Sequence, residues 1–419
     1  MKTLFQEKNK PIFIQNNQFR TIMIYFVFPI EEKESDIGYI DMLPAMLVHV
    51  SRKFPDEKSF LKEYMRRYID SLSINISNFG SRAFITAKLI IPDPRYLKED
   101  HVEEAIEFMI DAIYDPKVEN DQFDEQQFQK MKTSILTSIE ECPKNIYQWS
   151  NQKFIELFDE SGYLKNNIYN HKDYIEKITS KDLYQYYLEK IFSTKPLTFV
   201  FGNVEENTIE NLLNKYLYKG TYDLISFEKD YLYFQETKKI KYEEDKKNFN
   251  QSRLMLGYKV KNMTEEDRIL LFVISDLLSS QSSSLLLKKL REEQNIVYST
   301  SCCLFTRLGG IGIDALIHRD NREAAEKGIK EVIQQLKKKE IIKPLLEKVK
   351  ERNYLNLLKS SDNKNSISND YICKYLGVEL TLEEENERIQ KVTVDDITKF
   401  IDRLELDTVY YLEGEKDGK

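Results

Sequence analysis

Two stretches 214 residues apart follow one plan, and this repeat limits the possible folds more than any single motif. IEKITSKDLYQYY, from Ile175, is echoed by IQKVTVDDITKFI, from Ile389. Lys177, Thr179 and Asp182 correspond to Lys391, Thr393 and Asp396. After each copy the helix leads into a strand near a glycine, LTFVFGN and DTVYYLEG. Towards the front of each unit an apolar strand precedes a helix: RTIMIYFVF in the first, and SRLMLGYKV followed by ILLFVISDLL in the second. Echoes in the same order delimit units of about 210 residues, the signature of a duplicated domain.

Within the first unit, Thr21–Phe28 is an almost unbroken apolar run ended by Pro29, and predicts a central strand buried on both faces. A helix is expected from about Ile37 to Val50 with Pro44 inside it. A second helix places Phe60, Leu61, Tyr64, Tyr68 and Leu72 at spacings of three and four. Strands over Leu72–Ser77 and Ala83–Ile91 are joined through Gly80. Helices then run over His101–Tyr114, Asp121–Glu141, Ile146–Phe158 and Lys181–Phe192, before a strand at Pro196–Phe201. This order predicts an α+β layer with helices over one sheet. From Val204 to Asn248 the chain turns charged and tyrosine-rich, with a helix at Thr208–Leu217 and then KKIKYEEDKKN. The expected organisation is a first domain over 1–205, a linker over 206–248 and a second domain over 249–419.

Composition narrows the function. Charged residues make up 32% of the chain and hydrophobic ones 41%, a globular balance. A net charge of −8 argues against nucleic acid, which requires a basic footprint. Lys337–Lys339 is followed at once by Glu340 and reads as a solvated helix face. MKTLFQEKNKPIF has no apolar core of signal-peptide length, and no stretch approaches 18 uninterrupted apolar residues, so no membrane span is expected. Cys142, Cys302, Cys303 and Cys373 show no Cys-x-x-Cys spacing, which points to a cytoplasmic protein with reduced thiols.

The chemistry-bearing stretch is SLLLKKLREEQNIVYSTSCCL, from Ser284. Its apolar spacing predicts an amphipathic helix closed by Arg291, and its β-branched continuation a strand with Tyr298 near the start. A guanidinium fork and a phenol can both donate to a peptide carbonyl. Chemistry alone leaves a second explanation open: an Arg at a helix C-terminus suits the helix dipole, and a strand Tyr is ordinary sheet content. No Gly-rich phosphate loop, nucleophile elbow or Cys-His pair can be argued, and RLGGIG reads as a hairpin turn.

LREEQNIVYS resembles the LRE…G-x-x-Y segment in the second domain of insulinase-type (M16) zinc peptidases, with Asn295 at the position of the usual glycine. The resemblance implies two homologous α/β sandwich domains, each a mainly antiparallel sheet covered by helices. It also implies that Arg291 and Tyr298 hold a substrate backbone. Zinc-bearing members carry His-x-x-Glu-His on the first helix and a further Glu on a later one. Here those positions fall on Asp41, Pro44 and Ala45, and on Ser138. The histidines, His49, His101, His171 and His318, include no pair at helical spacing. In the bacterial M16B branch two chains pair, one carrying the metal motif and the other the Arg and Tyr. The implied role is a non-catalytic, substrate-binding subunit that binds no cofactor itself. Zinc would come from a His-x-x-Glu-His partner, and the substrates would be peptides, including leader or bacteriocin-like ones. The alternative is a proteolytically dead peptide-binding or scaffold protein.

Overall fold

The computed structural model describes residues 10–30, 36–79, 82–162, 164, 167–216, 236–280, 284–376 and 380–415. The turn expected at Gly80 and the expected linker residues 217–235 lie outside them. In the first half the elements are β1 (Ile12–Gln15), β2 (Thr21–Pro29), α1 (Tyr39–Met46), α2 (Glu57–Arg66), β3 (Ser71–Phe79), β4 (Arg82–Pro92) and α3 (Val102–Tyr114). A short hairpin follows, β5 (Val118–Glu119) and β6 (Gln122–Phe123), then α4 (Glu125–Glu141), α5 (Ile146–Phe158), α6 (Lys172–Ile175), α7 (Ser180–Tyr187), β7 (Leu197–Gly202) and α8 (Glu206–Tyr216).

The second half begins with β8 (Lys241–Lys247), β9 (Ser252–Val260), α9 (Asp267–Ser279) and a π-helical segment at Leu287–Glu293. It continues with β10 (Val297–Phe305), β11 (Gly310–Ile317), α10 (Arg322–Gln335), α11 (Lys339–Ser361), α12 (Lys364–Leu376), α13 (Leu382–Lys391), α14 (Val394–Ile401) and β12 (Leu404–Gly414).

The two five-stranded sheets have one topology. Their orders are β1-β7-β2-β4-β3 and, read from the corresponding end, β8-β12-β9-β11-β10. In each, a parallel edge pair (β1 with β7, β8 with β12) joins an otherwise antiparallel sheet. The repeated helix start is equally faithful. Thr179 and Thr393 each accept from the amide of the Asp three residues on, and both Asp side chains reach back to the Thr amide. These reciprocal capping boxes satisfy two helix-end donors at a time, which is why the Thr and Asp survive in both copies.

One stretch departs from expectation. KYEEDKK, read above as linker, is strand β8, paired in parallel with β12 from Lys241–Thr408 to Lys247–Gly414. It is the counterpart of β1. An edge strand with alternately half-buried and exposed side chains carries charge without penalty, so its composition imitates a linker.

By compactness the chain forms two units that do not follow the midpoint of the sequence. One comprises residues 1–140, 167–230 and 368–379, and the other 141–166, 231–367 and 380–419. Helix α5 of the first half therefore belongs to the second unit, and most of α12 to the first.

This exchange explains why the central strands are apolar on both faces. In β2, Ile22, Ile24, Phe26 and Phe28 meet the helices of the first unit. Met23, Tyr25 and Val27 on the other face pack with Ile372, Cys373 and Leu376 of α12. The Tyr25 hydroxyl lies 2.6 Å from Ser368 Oγ. In the second unit, Leu254, Leu256, Tyr258 and Val260 of β9 face the helix-side core. Met255 packs with Phe154 and Phe158 of α5 on the opposite face.

Helix α9 is fixed at its start by Asp267, whose two oxygens receive Arg403 Nη1 and Nη2 at 3.0 and 2.7 Å. Burial opposes ionisation of Asp267, but Arg403 and the amide and hydroxyl of Thr264 outweigh it and hold the carboxyl below the usual range. A depressed carboxyl pKa gives stability that is complete above the unfolded value and disappears as pH falls through the native one. Asp267→Asn is therefore expected to cost about 1–3 kcal/mol at neutral pH. The gap to the parent should close as pH drops below the model-compound value of 3.8, which paired urea titrations at pH 7 and pH 3 would measure. Among the described residues no helix is long and apolar enough to cross a membrane.

Candidate functional site

The Arg/Tyr stretch forms one turn joining the π-helical segment to β10. Leu285, Leu286 and Leu290 are buried and anchor the segment in the second unit's core. Ser284 closes its start, donating to the Leu278 carbonyl at 2.9 Å and accepting from the Leu287 amide at 3.0 Å. At the other end the Asn295 amide reaches Arg291 O at 3.1 Å, and the Ile296 amide reaches Leu290 O at 2.9 Å. Asn295 sits at φ +52°, the left-handed conformation that ends helices. An Asn adopts it at modest cost, so the joint keeps its shape without the glycine.

Tyr298 then falls where the β10–β11 register slips, between the pairs Val297–Ile317 and Ser299–Leu316. A bulge of this kind turns a side chain out of the regular alternation. Arg291 is exposed, and Tyr298 is 48% exposed. Among the described residues neither is engaged in a hydrogen bond or ion pair. Strand β10 is a sheet edge, paired on one side with β11, and its nine residues, VYSTSCCLF, include no charge and no proline. Edges are ordinarily blunted by such residues. Of the neighbouring cysteines, Cys302 faces the core, where burial pushes its thiol up to about 12. Cys303 is exposed, and both are free thiols.

The positions expected for metal ligands lie on α1 and α4. Helix α1 is short, with Pro44 inside it, and buries Ile40, Met42, Leu43 and Met46. Asp41 Oδ2 accepts from the Gly38 amide at 3.3 Å and serves the start of its own helix. Pro44 and Ala45 have no ligating side-chain atom. Ser138 Oγ donates to Ile135 O at 2.7 Å within α4.

The α4 residue that meets this part of α1 is Gln127, whose Nε2 donates to Ala45 O at 3.0 Å. Ser138 is eleven positions further along the helix, roughly 16 Å away at 1.5 Å per residue. The facing position thus belongs to the first turn of α4 and not to Ser138. Nothing in the spacing of α4 alone marked it. His101 packs against Tyr68 with the rings tilted and their centroids 5.0 Å apart, beside Asp100, which accepts from the Val102 amide. Among the described residues no group of three or more His, Cys, Asp or Glu is placed to hold a metal ion. The donor set on α1 and α4 does not fit zinc.

Two sheets of one topology carry the fold, and the first helix presents no histidine at the positions expected for zinc ligands. Residues 177–353 match the family described as Peptidase M16 inactive domain. Over 407 residues, 96% of this chain and 95% of its relative, the sequence is 23% identical to the probable inactive metalloprotease YmfF of Bacillus subtilis (strain 168). A conserved protein from Enterococcus faecalis V583 shares the fold with a TM-score of 0.85 at 20% identity, covering 96% of each chain. A protease from Helicobacter pylori does so with a TM-score of 0.77 at 14% identity, over 97% of this chain and 98% of its own. A peptidase M16 inactive domain from Pseudomonas fluorescens follows at 0.73 and 16% identity, over 97% and 96%.

Proposed function

We propose that this chain is the non-catalytic, substrate-binding subunit of a two-chain M16B endopeptidase. A His-x-x-Glu-His partner supplies zinc, its ligands and the general base. The observation that carries the reading is the unengaged, solvent-facing Arg291 and Tyr298 on one turn, next to a charge-free sheet edge, in a chain whose metal positions hold no ligands. An extended peptide adds along β10 through backbone hydrogen bonds. The guanidinium and the phenol donate to a substrate carbonyl and stabilise the negative charge it develops during attack. The substrates are peptides, leader or bacteriocin-like segments among them. The protein acts in the cytoplasm, where its free thiols stay reduced.

The test combines the chain with a His-x-x-Glu-His homologue encoded beside it. Arg291→Ala and Tyr298→Phe are each expected to lower turnover by about 10²-fold, the usual cost of one lost oxyanion donor. Unchanged cleavage in both variants would remove the assigned roles. A second reading, a peptide-binding scaffold without proteolysis, draws on the same loss of ligands. It requires that the chain bind peptide yet recruit no zinc-bearing sister in a pull-down.

A further inference from the structure

Helix α10 lies behind the Arg/Tyr turn, and two of its features are unusual for a helix that only fills space. Asn321 stands at its N-cap, where an Asn side chain normally accepts from an amide of the first turn. No such bond forms. The side-chain amide is directed elsewhere: Asn321 Nδ2 donates to Ile296 O at 3.1 Å. That carbonyl follows the left-handed Asn295 and precedes the bulge at Tyr298, a stretch where the regular β-ladder has not yet begun.

About two turns on, Gly328 is buried in the middle of the helix. A glycine there costs about 1 kcal/mol relative to alanine, and its φ is not in the left-handed region that would require one. Space supplies the reason. A Cβ at Gly328 would stand 2.5 Å from Leu290 Cδ2 and 3.1 Å from Gln294 Oε1. Leu290 is fully buried and has little room to retreat. Lys289 adds a third tie, its Nζ lying 3.4 Å from Glu331 of α10.

We infer that Asn321 and Gly328 are positioning residues: α10 sets the relative placement of Arg291 and Tyr298 by holding the backbone between them. The inference rests on the reading of those two side chains as the peptide grip. Asn321 fixes the limb that leads to Tyr298, and Gly328 lets the helix press on the limb that carries Arg291. Neither touches the substrate.

The experiment uses the full chain and two readouts. Hydrogen exchange follows the amides of residues 295–299. Fluorescence polarisation follows binding of a fluorescein-labelled, unstructured random-sequence 20-residue peptide library. Asn321→Asp keeps the shape and removes the donor. Asn321→Ala removes the side chain, and Gly328→Ala forces the helix away.

All three variants are expected to speed exchange at 295–299 with the other strands of the sheet unchanged. Asn321→Asp and Asn321→Ala should weaken peptide binding about fivefold, the scale of one hydrogen bond. Added to Arg291→Ala/Tyr298→Phe, Asn321→Ala should weaken binding no further, because it acts through those side chains. A general loss of stability would instead speed exchange throughout the sheet and add to the double variant.

If exchange at 295–299 stays at the parent rate in the Asn321 variants, α10 does not position the turn. The inference also fails if Arg291→Ala weakens binding while the Asn321 variants do not. Should the Asn321 variants loosen the turn while Arg291→Ala and Tyr298→Phe leave binding intact, the peptide-grip reading fails and the positioning of the turn stands.

Discussion

Expressed alone, neither residues 1–230 nor residues 231–419 will give a native, cooperatively melting fold, whereas the two fragments made together will associate and recover it. The first fragment lacks α12, which covers Met23, Tyr25, Val27, Phe84, Ile90, Phe199 and Phe201 on one face of its sheet. The contact is specific in geometry. Tyr375 meets Phe199 edge-on at 5.3 Å, and Tyr371 meets Phe201 at 6.2 Å. Each large side chain returned to water forfeits about 1.5–3 kcal/mol, and seven of them together, roughly 10–20 kcal/mol, match the whole of the about 5–15 kcal/mol that separates most domains from unfolding. The second fragment lacks α5 and leaves Met255, Leu308, Tyr410 and Leu412 uncovered. Near-ultraviolet circular dichroism of each fragment and of the mixture decides the matter. A sharp thermal transition in either fragment by itself would show that the exchanged helices are dispensable.

The second large effect concerns Phe158, at the end of α5. Its ring is fully buried, stacked 5.3 Å from Phe154 and tilted against Phe305 at 5.2 Å, with the Lys259 ammonium 5.0 Å from its centre. The sheet beneath is cut to receive it. A Cβ at Gly257 would lie 2.6 Å from Phe158 Cδ2, and one at Gly310 would lie 2.8 Å from Phe158 Cζ. The cavity left by Phe158→Ala is bounded by sheet backbone that cannot collapse inward, so the cost should fall near the upper part of the range of about 3–5 kcal/mol for such truncations. Chemical denaturation with an unchanged slope would measure it. A loss below about 1 kcal/mol would mean that α5 is held by its polar contacts, such as Trp149 Nε1 to Asp245 at 3.0 Å, and not by this ring.

The parts of the fold written in local patterns were legible. The apolar run of β2, the matched Thr and Asp at the two repeated helix starts and the echo of β2 in β9 were all readable from local patterns, and all are present. The turn at Asn295 was legible through the resemblance, which puts a glycine at that position, and Asn tolerates the positive φ found there.

What escaped the sequence depends on distant partners. KYEEDKK pairs with a strand more than 160 residues later, and nothing in its composition names that partner. Which sheet α5 or α12 covers is likewise invisible, since an apolar stripe fits either copy of a duplicated sheet. The π-helical widening at Leu287–Glu293 leaves no periodic trace in so short a stretch. Gln127, and not Ser138, faces Ala45 because α4 meets α1 at its first turn, a matter of packing that spacing along one helix does not record. Arg291 and Tyr298 stood out through likeness to a family. Their chemistry alone was equally well served by a helix dipole and an ordinary strand.

The place of α12 in the chain has a consequence for biosynthesis. The first sheet is complete in sequence once β7 has been made, at Gly202, but its cover ends at Leu376. At 5–20 residues per second, a ribosome takes on the order of ten to forty seconds over that interval. Throughout it the nascent chain carries a finished row of aromatic and aliphatic groups with nothing to lie against them. Slower translation after codon 202 would lengthen this exposure.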